Sequence, residues 1–480
     1  MIAARDAYIL ELETRLEEYG RKFLELEEKF RLQSERISEL ERSLGLNSRN
    51  SSKPPSSDGL SRPPAPKRDN GTGRKPGGQR GHKGRTLGRL ERVDHVEHHF
   101  PHGCAHCGHA LDEGMSEPVA TRQVQDIPEP SPLVVVDHVV HKCVCPLCNR
   151  ETRASFPDGI NASVQYGPNL TAFAVYLGEY QLIPVKRLAG TFNDIFGVRL
   201  SEGTIVNMVS RTAGRYRGVE GHIRKTVARA RVVHMDETGL RIEGRLHWLH
   251  VACTSLLTHF RIGRGRGDVM LEALGIVVHD CWKSYFRMPH VAGHGICCAH
   301  ILRELESLFQ FGGEKWARDL AKLLSGAVHA CNLADGAPLS SGTIREIREK
   351  YDRIVGEGLR HHETLKPLSS PGSRGRKKRR KGHNLLLRLR DHGDAVLLFT
   401  RNPLVPATNN IAELDLRMEK VKQKISGCHR SMEGAINRTI IRTVLATARK
   451  QGWNMLDTLR KSSSELEASL KVDIPVQAPG

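Results

Sequence analysis

Apolar residues Ile9, Leu12, Leu16, Tyr19, Phe23, Leu26, Phe30, Ile37, Leu40 and Leu44 recur at alternating steps of three and four, with Gln33 the one break in the seam. This 3.5-residue period, with Glu, Arg and Lys between, predicts a coiled coil over residues 1–45, about 50 Å long at 1.5 Å per residue. A parallel homodimer, or a higher oligomer built on it, is the expected partner. From residue 46 to 92 the period vanishes into Ser, Pro and Gly. Arg62–Arg92 carries ten Lys or Arg against Asp69 and Glu91, a composition that cannot offset its ordering entropy by apolar burial and reads as a basic disordered linker.

Helical spacing returns at residues 161–225. Leu170–Tyr180 and Val185–Phe196 are amphipathic, Gly197 ends the second segment, and Ser201 caps a third over Thr204–Arg211. The pattern is that of a helix-turn-helix, with Ile205 and Val209 inward and Thr204, Asn207 and Arg211 free to enter a DNA groove.

Within residues 226–445 the period changes to that of strands. Arg231–Val251 reads as strand, tight turn and strand, Thr258–Gly263 continues the sheet, and Ile276–His279 is a short, fully apolar strand. About 310–400 reads as a mainly helical insertion. Helical spacing resumes from Asn409 to Lys424, with Glu413 off the apolar stripe, and 446–480 is left as a C-terminal tail.

Chemistry enters at two places. Cys104-x-x-Cys107 and Cys145-x-x-Cys148, within residues 93–160, have the spacing of two zinc-knuckle halves, because a two-residue spacer lets both thiolates face one tetrahedral ion. One structural Zn²⁺ is expected, brought together by strands around Leu133–Val140, with Cys143, His102, His106 and His109 as alternative ligands. Asp236 lies in the first core strand and Asp280 ends another, 44 residues later. Two carboxylates on rigid strands suit a pair of Mg²⁺ ions, which prefer oxygen ligands and clamp the attacking and leaving oxygens of a phosphoryl transfer. A third acid is wanted, and Glu304, Glu306, Glu314, Glu413, Glu419 and Glu433 all remain open to the role. Glu237 should face the other side of the sheet, since strand neighbours alternate.

Charge supports a polyanionic partner. There are 73 Lys and Arg against 54 Asp and Glu, a net +19, with a pI near 9.6, and nucleic acid is the commonest such partner. The run Arg374–Lys381, with Arg374, Lys377, Lys378, Arg379 and Arg380, reads as a DNA-facing loop. No window is apolar enough to span a membrane and the N-terminus lacks a signal-peptide core, so a cytoplasmic protein is expected.

Taken together, LGLNSRNSSKPPSSDG, GRKPGGQRGHKGRTL, the paired C-x-x-C halves, HMDETG, VVHDCWKSYF with CCAHILREL, and TNNIAELDLR resemble the insertion sequence 66 family of bacterial transposases over nearly the whole chain. The resemblance implies a ribonuclease-H-like α/β core with an Asp-Asp-Glu triad, in which Asp236, Asp280 and Glu413 hold two Mg²⁺ ions. It implies Mg²⁺-dependent cleavage and transfer of double-stranded DNA at the element's terminal repeats, and companion proteins encoded nearby. Thr408 stands where the family usually has Asp, while Asn409 and Asn410 are retained and His300 matches a family His with a structural or DNA-contacting role. The competing expectation is a DNA-binding regulator, or an inactive remnant, with a silent core.

Overall fold

The computed structural model describes residues 2–46, 89–125, 133–148, 150–268, 273–365 and 379–472. The chain divides into two units, Met1–Leu60 with Asp137–Gly480, and Ser61–Val136. The linker reading falls largely on residues 47–88, outside the described residues.

The smaller unit is held by local turns. Gly103 bridges Ala110, Asp112 caps a single 3₁₀ turn at Glu113–Met115, and the Gln123 side chain clips both backbone groups of Leu90 at 2.8 and 3.0 Å.

The larger unit opens with one helix, α1 (Ile2–Gly45). Its apolar seam is bare: Leu12, Leu16, Tyr19, Phe23, Leu26 and Phe30 are all exposed. Near its C-terminal end, Glu35 pairs with Arg380 at 2.7 Å. A hairpin follows, β1 (Lys142–Val144) antiparallel to β2 (Glu151–Arg153). Residues 133–140, expected as strands between the cysteine pairs, are extended without ladder partners; the paired strands flank the second cysteine pair instead. Their burial explains this, since Val134, Val135, Val136 and Val139 are exposed and have no apolar face to rest on.

Four helices come next: α2 (Pro168–Val175), extended by a π turn through Tyr180, then α3 (Val185–Phe196), α4 (Glu202–Arg215) and α5 (Arg217–Ala228). Gly197 takes φ +67° to end α3, and the Ser201 hydroxyl caps α4 by accepting from Thr204 N. The helical hairpin read from the sequence is therefore present, with its second helix longer than expected at both ends. Ile205 and Met208 are buried.

The sheet has five strands in the order β5-β4-β3-β6-β7: β3 (Val232–Ile242), β4 (Arg245–Cys253), β5 (Thr258–Gly263), β6 (Ile276–His279) and β7 (Gly293–Ile296). The first three pair antiparallel, and β3, β6 and β7 pair parallel. Glu243 and Gly244, both at positive φ (52° and 76°), join β3 to β4, the primed geometry whose twist matches a two-residue hairpin.

After the sheet comes α6 (Cys298–Gly312), and the described part of residues 310–400 is helical: α7 (Lys315–Leu333), α8 (Ser341–Thr364), α9 (Lys381–Asp391), and the single turns α10 (Gly393–Val396) and α11 (Leu398–Arg401). Trp316, Leu320, Leu324, Tyr351, Leu386 and Leu389 give it a core of its own. The chain then returns to the sheet with α12 (Asn410–Ser426) and α13 (Met432–Gln451). Val233, Met235 and Val277 pack with the helices before the sheet, while Leu240, Ile242, Leu249 and Val251 pack with Ala412 and Leu416 of α12. The two faces of β3 thus serve different cores, as a two-residue period requires. Finally, α14 (Met455–Arg460) and α15 (Ser463–Ser469) return to this body. Tyr216 OH bonds Thr458 O at 2.8 Å and Val219 N donates to Ser463 Oγ at 2.6 Å. Among the described residues no helix is long and apolar enough to cross a membrane.

Candidate active site

The site lies at the C-terminal end of β6, where a carboxylate from each of two neighbouring strands faces α12. Parallel pairing sets His234 opposite Val278; two residues on, in the same sense, come Asp236 and Asp280. Asp236 shares the face of Leu240 and Ile242, the face α12 covers. Beyond β6 the chain turns sharply. Cys281 takes φ +70°, its N–H donates to His279 Nδ1 at 3.1 Å, and Asp280 Oδ1 accepts from Trp282 N at 3.0 Å. These bonds hold the Asp280 carboxylate at the strand end, in a backbone conformation a non-glycine residue adopts only when its surroundings enforce it.

Glu413 sits in the first turn of α12. The start of that helix is latched to β3 by Asn409, which is 1 % exposed. Its Oδ1 meets His234 Nδ1 at 2.9 Å, its Nδ2 donates to Met235 O at 2.7 Å, and its backbone N donates to Cys297 Sγ at 3.2 Å. One amide thus ties α12, β3 and the start of α6 together around the acids.

Electrostatics report the clustering. Burial, with the like charges of Glu237, Asp280 and Glu413, pushes Asp236 up to about 8, against one favourable bond from Glu237 N. Of the other third-acid candidates, Glu304 is engaged by Arg388 at 2.7 Å, Glu314 by His362 at 2.8 Å, and Glu419 by Arg438 at 2.9 Å. Glu306 accepts from Gln310 at 2.6 Å, and Glu433 is exposed at the start of α13. Glu413 is the one among them whose charge is felt at Asp236.

Glu237 is turned to different partners. Arg266 Nε donates to it at 2.7 Å and the Tyr285 hydroxyl donates to its other oxygen. Burial raises Glu237, with Tyr285 and Arg266 opposing. Arg266 also reaches Asp280 at 3.4 Å and stacks over Trp282 at 4.0 Å. Sequence reasoning missed Arg266, Tyr285 and the role of Asn409. Arg266 carries no motif, and only the fold brings it to two acids; the neighbouring asparagines were noticed without their contacts.

A divalent cation fits this donor set. Asp236 sits among three other carboxylates, only two of which Arg266 reaches, an excess of negative charge that a cation would neutralise.

The two C-x-x-C halves fold as separate but similar turns. Cys104 N donates to His109 O at 2.8 Å and Gly108 N to Cys104 O at 2.9 Å, while Cys145 N donates to Arg150 O at 2.9 Å. In each turn backbone N–H groups aim at the first sulfur, those of His106 and Cys107 for Cys104 and those of Cys148 and Leu147 for Cys145, and hold both thiols below the usual range. Cys107, Cys148 and Cys143 are exposed, as are His102, His106 and His109. On α4, Asn207 and Arg211 are exposed and Thr204 is half-buried against Ser201. Arg379 is exposed and Arg380 pairs with Glu35, whereas Arg374, Lys377 and Lys378 lie outside the described residues.

Comparison with known proteins places this geometry. A family of unknown function, DUF6444, matches residues 4–87, and no curated protein matches the chain. The model described as the Transposase IS66 family matches residues 163–437, more than half of the 480 residues and the whole stretch from α2 through the two aspartates to Glu413. The chain belongs to the IS66 transposase family.

Proposed function

We propose that this transposase cuts and joins DNA through Asp236, Asp280 and Glu413, on a ribonuclease-H-like core whose three antiparallel strands are followed by two parallel ones. The observation that carries the reading is the approach of the three acids from β3, the end of β6 and α12, where burial first, then the charges of Glu237, Asp280 and Glu413, push Asp236 up to about 8. Such mutual repulsion is tolerated where a cation is to be held.

Asp236, Asp280 and Glu413 would together hold the two Mg²⁺ ions. The ions supply charge neutralisation and a water of lowered pKa. Asp236 gives up its proton on binding, and Asn409 keeps Glu413 in register with it. No covalent attachment of DNA to the protein is needed, because water and then a freed 3′-hydroxyl serve as nucleophiles. Asn207, Arg211 and the basic run through Arg379 would bind the element ends and target, and the bare seam of α1 would pair with a second copy. Cys104, Cys107, Cys145 and Cys148 would share one structural Zn²⁺, for which the backbone-stabilised sulfurs of both turns are suited.

Asp236→Asn tests the reading. DNA binding is expected to persist while Mg²⁺-dependent strand cleavage of the element ends falls about 10³-fold, the equivalent of several kcal/mol of transition-state charge stabilisation. Retained cleavage refutes it. Zinc is checked by metal analysis: Cys104→Ser with Cys145→Ser should remove about one equivalent per chain.

A further inference from the structure

A second cluster adjoins the acids and involves the inner side of Glu413. Cys297 immediately precedes α6 and His300 lies in its first turn. The donor atoms of Cys297, His300 and Glu413 all fall within 4.8 Å of one another. Cys297 is fully buried, and its sulfur accepts the backbone N–H of Asn409 at 3.2 Å, which fixes its position. His300 Nδ1 and Glu413 Oε1 are sealed from solvent and neither has a hydrogen-bond partner; they face each other at 3.7 Å. Buried polar atoms without a hydrogen bond are rare, and here an imidazole nitrogen and a carboxylate oxygen that make only a loose ion pair converge with a thiol on one point.

We infer that Cys297, His300 and Glu413 form a site for a transition-metal cation of the zinc or cobalt class, separate from the carboxylate pair. The donor chemistry decides the class. A thiol and an imidazole beside one carboxylate suit a borderline-soft ion, whereas Mg²⁺ demands oxygen ligands. Three protein donors leave a coordination position open, as in metal sites that take a water or a substrate oxygen. Glu413 offers Oε1 to this site, the oxygen that faces His300. The inference shares that one residue with the proposed Mg²⁺ site and does not depend on it.

The test is Co²⁺ titration of the full-length protein in excess Mg²⁺, read by thiolate-to-cobalt charge-transfer absorption and by bound metal per chain. The cysteine pairs at 104–107 and 145–148 contribute absorption of their own, so the readout is the difference between the wild type and each variant. Cys297→Ser should remove one cobalt equivalent and its share of the band. His300→Gln, in a side chain that is 17 % exposed and therefore less disruptive to folding, should weaken that equivalent by roughly tenfold or more. Asp236→Asn should leave it unchanged. An identical spectrum and stoichiometry in both Cys297→Ser and His300→Gln overturns the inference. So does loss of the equivalent in Asp236→Asn, which would assign the metal to the carboxylate pair.

Discussion

Two buried charge clusters sit on α12, and they are built on opposite principles. At the N-terminal end, Asp236 meets Glu237, Asp280 and Glu413 and is pushed up to about 8. Farther along, Glu419 is more enclosed than the half-buried Asp236, yet it lies far below the usual carboxylate range. Burial raises it, but Arg438 and His429 outweigh that burial. Arg438 in turn bonds Glu419 at 2.9 Å and Glu179 at 2.7 Å, which ties α12 and α13 to the turn after α2. The second cluster joins three elements through ion pairs; in the first, Arg266 pairs with Glu237 and reaches Asp280, while Asp236 has no ion pair among the described residues. A protein keeps a repulsive cluster in its interior only if something outside the chain completes it, whereas a satisfied one is architecture.

The comparison is broken most severely at Arg438. Arg438→Met should destabilise the protein by about 3–5 kcal/mol, because the buried Glu419 keeps only His429 and Glu179 loses its ion pair. Chemical denaturation would measure the loss. If it cost under about 1 kcal/mol, the matched cluster would not be architecture. Its mirror is Asp236→Asn, which should abolish cleavage without loss of stability.

Asn409 separates the roles further, since it is neutral and touches both strand and helix. Asn409→Ala removes its bonds to His234 and Met235 O, at a cost of about 2 kcal/mol for the buried groups left unpaired. Cleavage should fall roughly ten- to a hundredfold at a temperature where the variant remains folded, because Glu413 loses its register. Equal activity of the folded variant would show that α12 is positioned by its apolar contacts alone.

Much of this arrangement was legible in the chain, and the limits follow from range. Asp236 and Asp280 could be placed on strands because β3 and β6 are short-range patterns, and Thr258–Gly263 and Ile276–His279 fall where their apolar residues put them. Glu413 could not be chosen from six acids by periodicity; family resemblance pointed to it, and in the fold four of the other glutamates have side-chain partners elsewhere while Glu433 is exposed. Arg266 was invisible, since its partner Glu237 is 29 residues away and nothing local marks it. The cysteine hairpin was read one segment too early, as apolar residues at 133–140 mimic strands while lacking a face to cover. Asn409 was seen as part of a motif, but its contacts reach back 175 and 174 residues.

The finest distinction between the clusters is the direction in which each responds to pH. Asp236 has a folded pKa raised from 3.8 to about 8, so its protonated form favours the native state. That contribution is complete below about pH 4 and lost as pH rises toward 8. Glu419 has a depressed folded pKa; its contribution is present above the unfolded value of 4.5 and lost only as pH falls below it. In chelator, Asp236 should therefore cost the metal-free wild type stability from about pH 5 to 8, its own share of the slope being no steeper than the roughly 1.4 kcal/mol per pH unit of a single proton. Asp236→Asn should flatten that limb and leave the acid limb, where Glu419 titrates, as it was. Mg²⁺ should stabilise the wild type more at pH 8 than at pH 5, because binding must displace the Asp236 proton, and should have little effect on Asp236→Asn. An alkaline limb unchanged by the substitution would mean that Asp236 is ionised at neutral pH without a metal, and the contrast between the two clusters would fail.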